Sequence, residues 1–216
     1  MVHLIIGYGE VGVSLYEVIG ESLINDPNKG FLYDSEDKVD VIHICFPYSS
    51  QFNFFVKCWK EHADLVIVHS SVPVGTCDAL GVVHSPVRGV HPHLTEGIRT
   101  FPKCFGGKRA DEAAKIFSDL GIKTRVYLTA RTTEALKLWD TTQYGRLIML
   151  QKEIWKWCKR NKVNFDEVYT QANQDYNAGY IKLGRPDVVR PWLKNVPGPI
   201  GGHCVIPNAK LLKVKL

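Results

Sequence analysis

Gly7, Gly9 and Gly12 follow the apolar run Val2 to Ile6 in the spacing G-x-G-x-x-G. A phosphate site needs glycine at each place: the first permits a tight turn, the second lets a pyrophosphate reach the backbone, and the third lets a helix pack on the strand. Tyr8, Glu10 and Val11 share that turn and open the helix whose N–H groups would face an anion. Asp34 stands 22 residues beyond Gly12, near the distance at which an acid binds the ribose of a dinucleotide, with Glu36 and Asp37 as alternative acids. A carboxylate there accepts from both ribose hydroxyls and repels a 2′-phosphate, so the pattern favours NAD over NADP. Phe46, Pro47 and Ser71, at the ends of later strand-like runs, are further candidate cofactor contacts.

These residues need a scaffold, and the order of the chain supplies one. Val2 to Ile6 predicts a first strand, and the amphipathic stretch through Ile24 a first helix. Gly30 to Tyr33 predicts a second strand that ends at Asp34, and Val39 to Phe46 a third, apolar enough to be buried on both faces. Asp64 to His69 and Gly81 to His84 continue the strands, with a helix over 51–62. Cys104-Phe105 and Lys123 to Leu128 flank a helix over 111–120. Such alternation predicts an α/β fold with a Rossmann-type doubly wound parallel sheet.

After Thr129 the strand signals stop. One long helix is predicted over 132–161, with Ala135, Leu138, Leu147, Leu150, Ile154 and Trp157 at helical spacing. A second helix over 165–176 and a proline-rich stretch over 184–199 follow. The expected organisation is an NAD-binding Rossmann domain over 1–128 and a small all-helical dimerisation and catalytic domain over 129–216, with one long central helix.

Composition bounds the function. The chain has 216 residues, 45% hydrophobic and 23% charged, which excludes disordered and coiled-coil classes. Its apolar runs fall short of a membrane span and no secretion signal opens it, so a cytoplasmic location without membrane contact is expected. Six scattered cysteines without a CxxC pair read as reduced thiols. A net charge of +5 favours an anionic small-molecule ligand. The basic stretch from Lys152 to Lys162, interleaved with Trp155 and Trp157, reads as a solvated helix face, and no nucleic-acid motif accompanies it. His91 and His93 are a metal pair by type but lack a third ligand nearby, so no metal is expected.

Further segments carry a resemblance. Ser70-Ser-Val-Pro-Val-Gly-Thr76, Leu94-Thr-Glu96-Gly97 ahead of Cys104-Phe-Gly-Gly107, Thr133-Glu134-Ala-Leu-Lys137 and Gly201-Gly202-His203-Cys204-Val-Ile-Pro207 occur in this order. Together with the glycine fingerprint they resemble the UDP-glucose/GDP-mannose dehydrogenase family of nucleotide-sugar 6-dehydrogenases, over nearly the whole chain. The resemblance implies NAD-dependent, four-electron oxidation of a primary alcohol to a carboxylate through a cysteine thiohemiacetal and thioester. Cys204 would be the nucleophile, Lys137 would face the developing oxyanion, and Thr76 and Glu96 would handle a water and proton transfer. A nucleotide sugar is the implied substrate, and the implied assembly is a homodimer through the long helix. The bland readings are a buried thiol at Cys204, a surface Lys137 paired with Glu134, and Thr76 as a helix cap.

Three positions depart from the family. Thr141 stands where an asparagine is usual, Asn208 where a carboxylate is usual, and Val87 where Ser85-Pro86 would be followed by a glutamate. The first domain is abridged between its second and third strands, and the family's C-terminal nucleotide-binding domain has no counterpart in the sequence. Two other functions therefore stand beside the first: a noncatalytic NAD-binding protein, and a two-electron dehydrogenase of a small anion with Arg88 and Arg99 as its clamp.

Overall fold

A computed structural model describes residues 1–195, 198–200 and 204–216. The chain divides into two compact units, Met1–Leu138 and Trp139–Leu216.

The first unit is built on seven strands: β1 (His3–Ile6), β2 (Leu23–Asn25), β3 (Val39–Ile44), β4 (Ala63–Val68), β5 (Val83–His84), β6 (Lys103–Gly106) and β7 (Thr124–Tyr127). Their spatial order is β2-β1-β3-β4-β5-β6-β7. The expected Rossmann-type sheet is present, with one correction to its all-parallel form: β5 and β6 meet antiparallel, His84 opposite Gly106. The connection over 85–102 returns the chain to the end of the sheet where β5 finished, so β6 must run back. It contains α4 (Leu94–Thr100).

Alternation along β1 shows how the sequence builds two layers. Leu4 and Ile6 face a cluster with Ile42, Ile44 and Val68 under α2 (Phe52–Lys60) and α3 (Thr76–Leu80). Ile5 faces the other way, with Val41, Ile67 and Phe105, under α1 (Glu10–Ile19) and α5 (Ala110–Asp119). Phe117 of α5 is fully buried there, a contribution of about 1.5–3 kcal/mol for a side chain of its size.

Two expectations near the amino end are corrected. The first helix stops at Ile19, because Gly20 takes φ +91° and its N–H closes on the carbonyl of Tyr16. The second strand is Leu23–Asn25, paired in parallel with Leu4 to Ile6, instead of Gly30 to Tyr33. Pro27 cannot extend the ladder, so a short helical turn, Pro27–Lys29, reverses the chain. Phe31 then bridges antiparallel to Asp26. Asp34 consequently does not end a strand; it is exposed in the stretch leading to β3.

The long helix is present as α6 (Ala130–Asn161), 32 residues that begin in the first unit and continue into the second. Within the second unit a π-helical turn over Asp166–Gln171 leads into α7 (Ala172–Lys182). The last helix is α8 (Val205–Leu211). α8 approaches α6 at Gly145, where a Cβ would lie 2.5 Å from a methyl carbon of Val205. Among the described residues no helix is long and apolar enough to cross a membrane.

Candidate active site

The glycine turn has the geometry its residue types call for. Gly7 takes φ +90°, and a Cβ on it would approach the Phe46 nitrogen to 2.9 Å. A Cβ on Gly12 would lie 2.1 Å from the Gly7 carbonyl oxygen and 3.3 Å from Ile5, so only glycine lets α1 follow the turn so closely. Gly9 differs: a Cβ there meets nothing within 4 Å. Gly9 is the residue before α1, so the open space lies at the electropositive helix start.

That space belongs to a cleft of about 870 Å³ at the carboxyl ends of β1, β2 and β3, where strand order reverses. Gly7, Gly9, Glu10, Val11, Phe46 and Pro47 line it. So does Asp26, which directly follows β2 and which the sequence reading missed. Its carboxylate accepts the Tyr8 N–H at 2.8 Å, tying the end of β2 to the glycine turn. The signal was Asn25-Asp26-Pro27 after a short apolar pair, since proline marks where a strand must stop. Phe54, Phe55 and Trp59 of α2 give the cleft an apolar wall. Tyr8 packs edge-on against Tyr16 and Phe31. Ser71 follows β4, and neither it nor Asp34 is among the lining residues.

Glu134 has a structural role that the sequence did not reveal. Fully buried, its carboxylate accepts the N–H groups of Gly75 at 2.5 Å and Cys77 at 2.7 Å. Burial raises its pKa and the two backbone N–H bonds oppose that. Glu134 thus clamps the start of α3. Thr76 is the first residue of that helix instead of its cap, which is Gly75 at φ +97°. The Thr76 hydroxyl donates to the Pro73 carbonyl at 2.7 Å. Lys137 donates to the Val87 carbonyl at 2.8 Å. Glu96 is exposed on α4, with His93 at 3.9 Å, and the His91 ring meets the Glu10 carboxylate. Arg99 donates to the Glu17 carbonyl at 3.0 Å, a bond that holds α4 to α1.

In the second unit Cys204 precedes α8 and its carbonyl accepts the Asn208 N–H at 3.0 Å. Gly201, Gly202 and His203 lie outside the described residues. The Asn208 amide donates to the Thr141 hydroxyl at 2.9 Å, so two of the three departing positions bond to each other. The third, Val87, is buried among core residues of the first unit. All six cysteines are free thiols, and burial pushes the Cys45 and Cys77 thiols upward. Among the described residues no group of three or more His, Cys, Asp or Glu could hold a metal.

No family model matches the chain. The UDP-N-acetyl-D-mannosamine dehydrogenase of Methanocaldococcus jannaschii is 26% identical over 186 residues, 80% of this chain and 39% of that protein. The chain is thus similar to a nucleotide-sugar dehydrogenase over four fifths of its own length. Among solved structures, the UDP-D-ManNAc dehydrogenase of Pyrococcus horikoshii superposes with a TM-score of 0.75 at 19% identity, over 98% of this chain and 63% of that one. The 3-hydroxyisobutyrate dehydrogenase of Mycobacterium tuberculosis superposes with a TM-score of 0.67 at 13% identity, over 98% of this chain and 85% of that one. At such identities the superpositions show a shared fold. The chain spans about two fifths of the curated relative's length.

Proposed function

We propose that this chain carries the NAD-binding and cysteine-bearing parts of a nucleotide-sugar dehydrogenase that oxidises a primary alcohol to a carboxylate. The observation that carries the reading is the cleft at the strand-order reversal, open at Gly9 and edged by Asp26. Its residues fit the cofactor: a pyrophosphate has space against the Gly9 backbone, and Asp26 after β2 is the acid for the ribose hydroxyls in place of Asp34. NAD bound there supplies the hydride acceptor.

The chain's own groups divide the remaining work. Loss of a hydride and a proton from the alcohol gives the aldehyde; the Cys204 thiol adds to its carbon while the thiol proton passes to the carbonyl oxygen, giving a thiohemiacetal. Loss of a second hydride, to a second NAD, and a proton leaves a thioester, and water releases the carboxylate and the thiol. Lys137 places a cationic donor for the oxyanion, and Thr76 and Glu96 serve the water and its proton. The domains at 1–128 and 129–216 divide cofactor binding from the thiol. The homodimer forms through α6, where Trp139, Tyr144, Leu150 and Trp157 are exposed.

A second reading, a two-electron dehydrogenase of a small anion, is favoured by the Asn208 to Thr141 bond, which puts an amide where thioester hydrolysis would use a carboxylate. Titration calorimetry with NADH and NADPH on the parent chain and on Asp26→Ser tests the cofactor site. Preference for NADH in the parent and its loss in the variant are expected; equal affinity in the parent overturns the assignment. A panel of nucleotide sugars and hydroxy acids, with acid and aldehyde products counted per NADH formed, separates four-electron from two-electron chemistry. Carboxylate product that persists in Cys204→Ser would overturn covalent catalysis.

A further inference from the structure

A row of buried bases crosses the sheet of the first unit, apart from the cleft. His3 Nδ1 lies 3.0 Å from His43 Nε2, and His43 Nδ1 lies 3.0 Å from His69 Nε2. His69 Nδ1 lies 2.8 Å from the Ser85 carbonyl oxygen and 3.3 Å from Lys103 Nζ. Lys103 in turn donates to that same carbonyl at 3.2 Å. The members stand on β1, β3, the end of β4 and β6, so the row follows the order of the strands.

One acceptor sets every proton in the row. A carbonyl oxygen only accepts, so His69 carries its hydrogen on Nδ1 and presents a bare Nε2. His43 must then donate from Nδ1 to that atom, and His3 from Nδ1 to His43 in the same way. With neutral rings the three Nδ1–H groups thus point in one direction. Burial favours the same state, lowering the pKa of His3 and taking His43 and His69 well below their ordinary value.

Both ends meet space. His3 is 8% exposed and lines a cavity of about 300 Å³ with the carboxylates of Glu112 and Asp119 and the amine of Lys115. Lys103 is 4% exposed and lines a separate cavity of about 10 Å³ with Val87, Arg88 and Cys104. The ionisable groups that act on Lys103 come from every neighbouring element: His43 of β3 and Cys45 just after it, His69 after β4, His84 of β5, Cys104 of β6 and Lys137 of α6. Phe105 and Phe117 cover its amine.

We propose that His3, His43 and His69 form a proton relay that joins the buried amine of Lys103 to solvent at the amino end of β1. In the inward direction a proton binds His3 Nε2. The Nδ1 proton of His3 moves to His43 Nε2, that of His43 to His69 Nε2, and that of His69 to the Lys103 amine. The new ammonium donates to the Ser85 carbonyl and replaces the bond that His69 gave up. The outward direction retraces these steps, with no net change at the imidazoles once both have run. A row of amides or alcohols could fill the same space but could not take and give protons near neutral pH.

The test is nuclear magnetic resonance on the intact chain labelled with ¹⁵N in its histidine rings and lysine amines, without substrate or NAD. Its outcome is thus independent of the dehydrogenase reading. Expected are Nδ1–H tautomers at His3, His43 and His69 at pH 8, and exchange of the Lys103 amine protons with water that slows by about tenfold or more in His43→Gln. His3→Gln, at the start of β1, should slow it likewise and serves alone should His43→Gln fail to fold. An Nε2–H tautomer at any of the three, or an unchanged exchange rate in the folded variants, overturns the relay.

Discussion

The side-chain amide of Asn208 donates to the hydroxyl of Thr141 at 2.9 Å, joining the start of α8 to α6 across 67 residues of sequence. Asn208 is only 3% exposed, so the bond is shielded from water. Asn208→Ala should therefore lower the stability of the helical unit by about 1–3 kcal/mol, the cost of losing a buried polar partner. Urea denaturation followed through the tryptophan fluorescence of this unit measures it, and an unchanged midpoint would show the bond to be incidental.

The glycine turn supports a paired prediction. Gly9→Ala should keep the parent stability to within about 0.5 kcal/mol, because the new Cβ meets nothing within 4 Å, yet weaken NADH binding about tenfold or more by occupying the phosphate's space. Gly12→Ala should cost about 1–3 kcal/mol, since its Cβ would press on the Gly7 carbonyl 2.1 Å away. Thermal melts and calorimetry on the two variants check both halves. Full NADH affinity in Gly9→Ala would remove the pyrophosphate from that position.

Glu134 predicts a stability effect at a position that looks like a helix-surface residue in sequence. Glu134→Ala leaves the N–H groups of Gly75 and Cys77 without their carboxylate, at a cost of about 1.5–3 kcal/mol for each charged hydrogen bond. Glu134→Gln, which retains one carbonyl acceptor, should lose less. Chemical denaturation that ranks the two variants the other way would contradict the clamp.

The buried bases set how stability depends on pH. His84 is pushed down to about 3, and His3, His43 and His69 are also lowered from 6.5, chiefly by burial. The unfolded chain then binds more protons than the folded one as pH falls through about 6.5, so stability drops toward pH 3. The slope reaches about 1.4 kcal/mol per pH unit for each such histidine. Lys103, pushed down to about 7 from 10.5, acts with the same sign in a higher window, so stability also rises from about pH 7 until, above about pH 9, the buried Cys45 and Cys77 thiols, pushed upward, act with the opposite sign. Denaturation midpoints across pH 4–9 should show both limbs, and Lys103→Met should flatten the upper one.

Much of the scaffold was legible because its signals are local. Glycine at 7, 9 and 12, the apolar runs of β1, β3 and β4 and the helical spacing after Thr129 each depend on residues within a turn or two, which is the range over which backbone preferences act. The end of the second strand, where Asp34 was expected, lies elsewhere for the same reason. Gly20 and Pro27, both visible in sequence, end α1 and β2 early, yet the more apolar Gly30 to Tyr33 outweighed the three-residue strand that pairing with β1 selects.

The sequence by itself determined the glycine fingerprint, the strand and helix alternation and the thiol ahead of a short helix, since each is a property of neighbouring residues. Only the tertiary structure decided that Asp26 edges the cleft, that Glu134 clamps Gly75 and Cys77, that Asn208 bonds to Thr141, and that three histidines meet Lys103 in one row. Partners in these sets lie between 18 and 67 residues apart. No local preference brings such groups together; sheet pairing and helix packing do, and once water is excluded each buried polar atom must find its partner among whatever the fold has placed beside it.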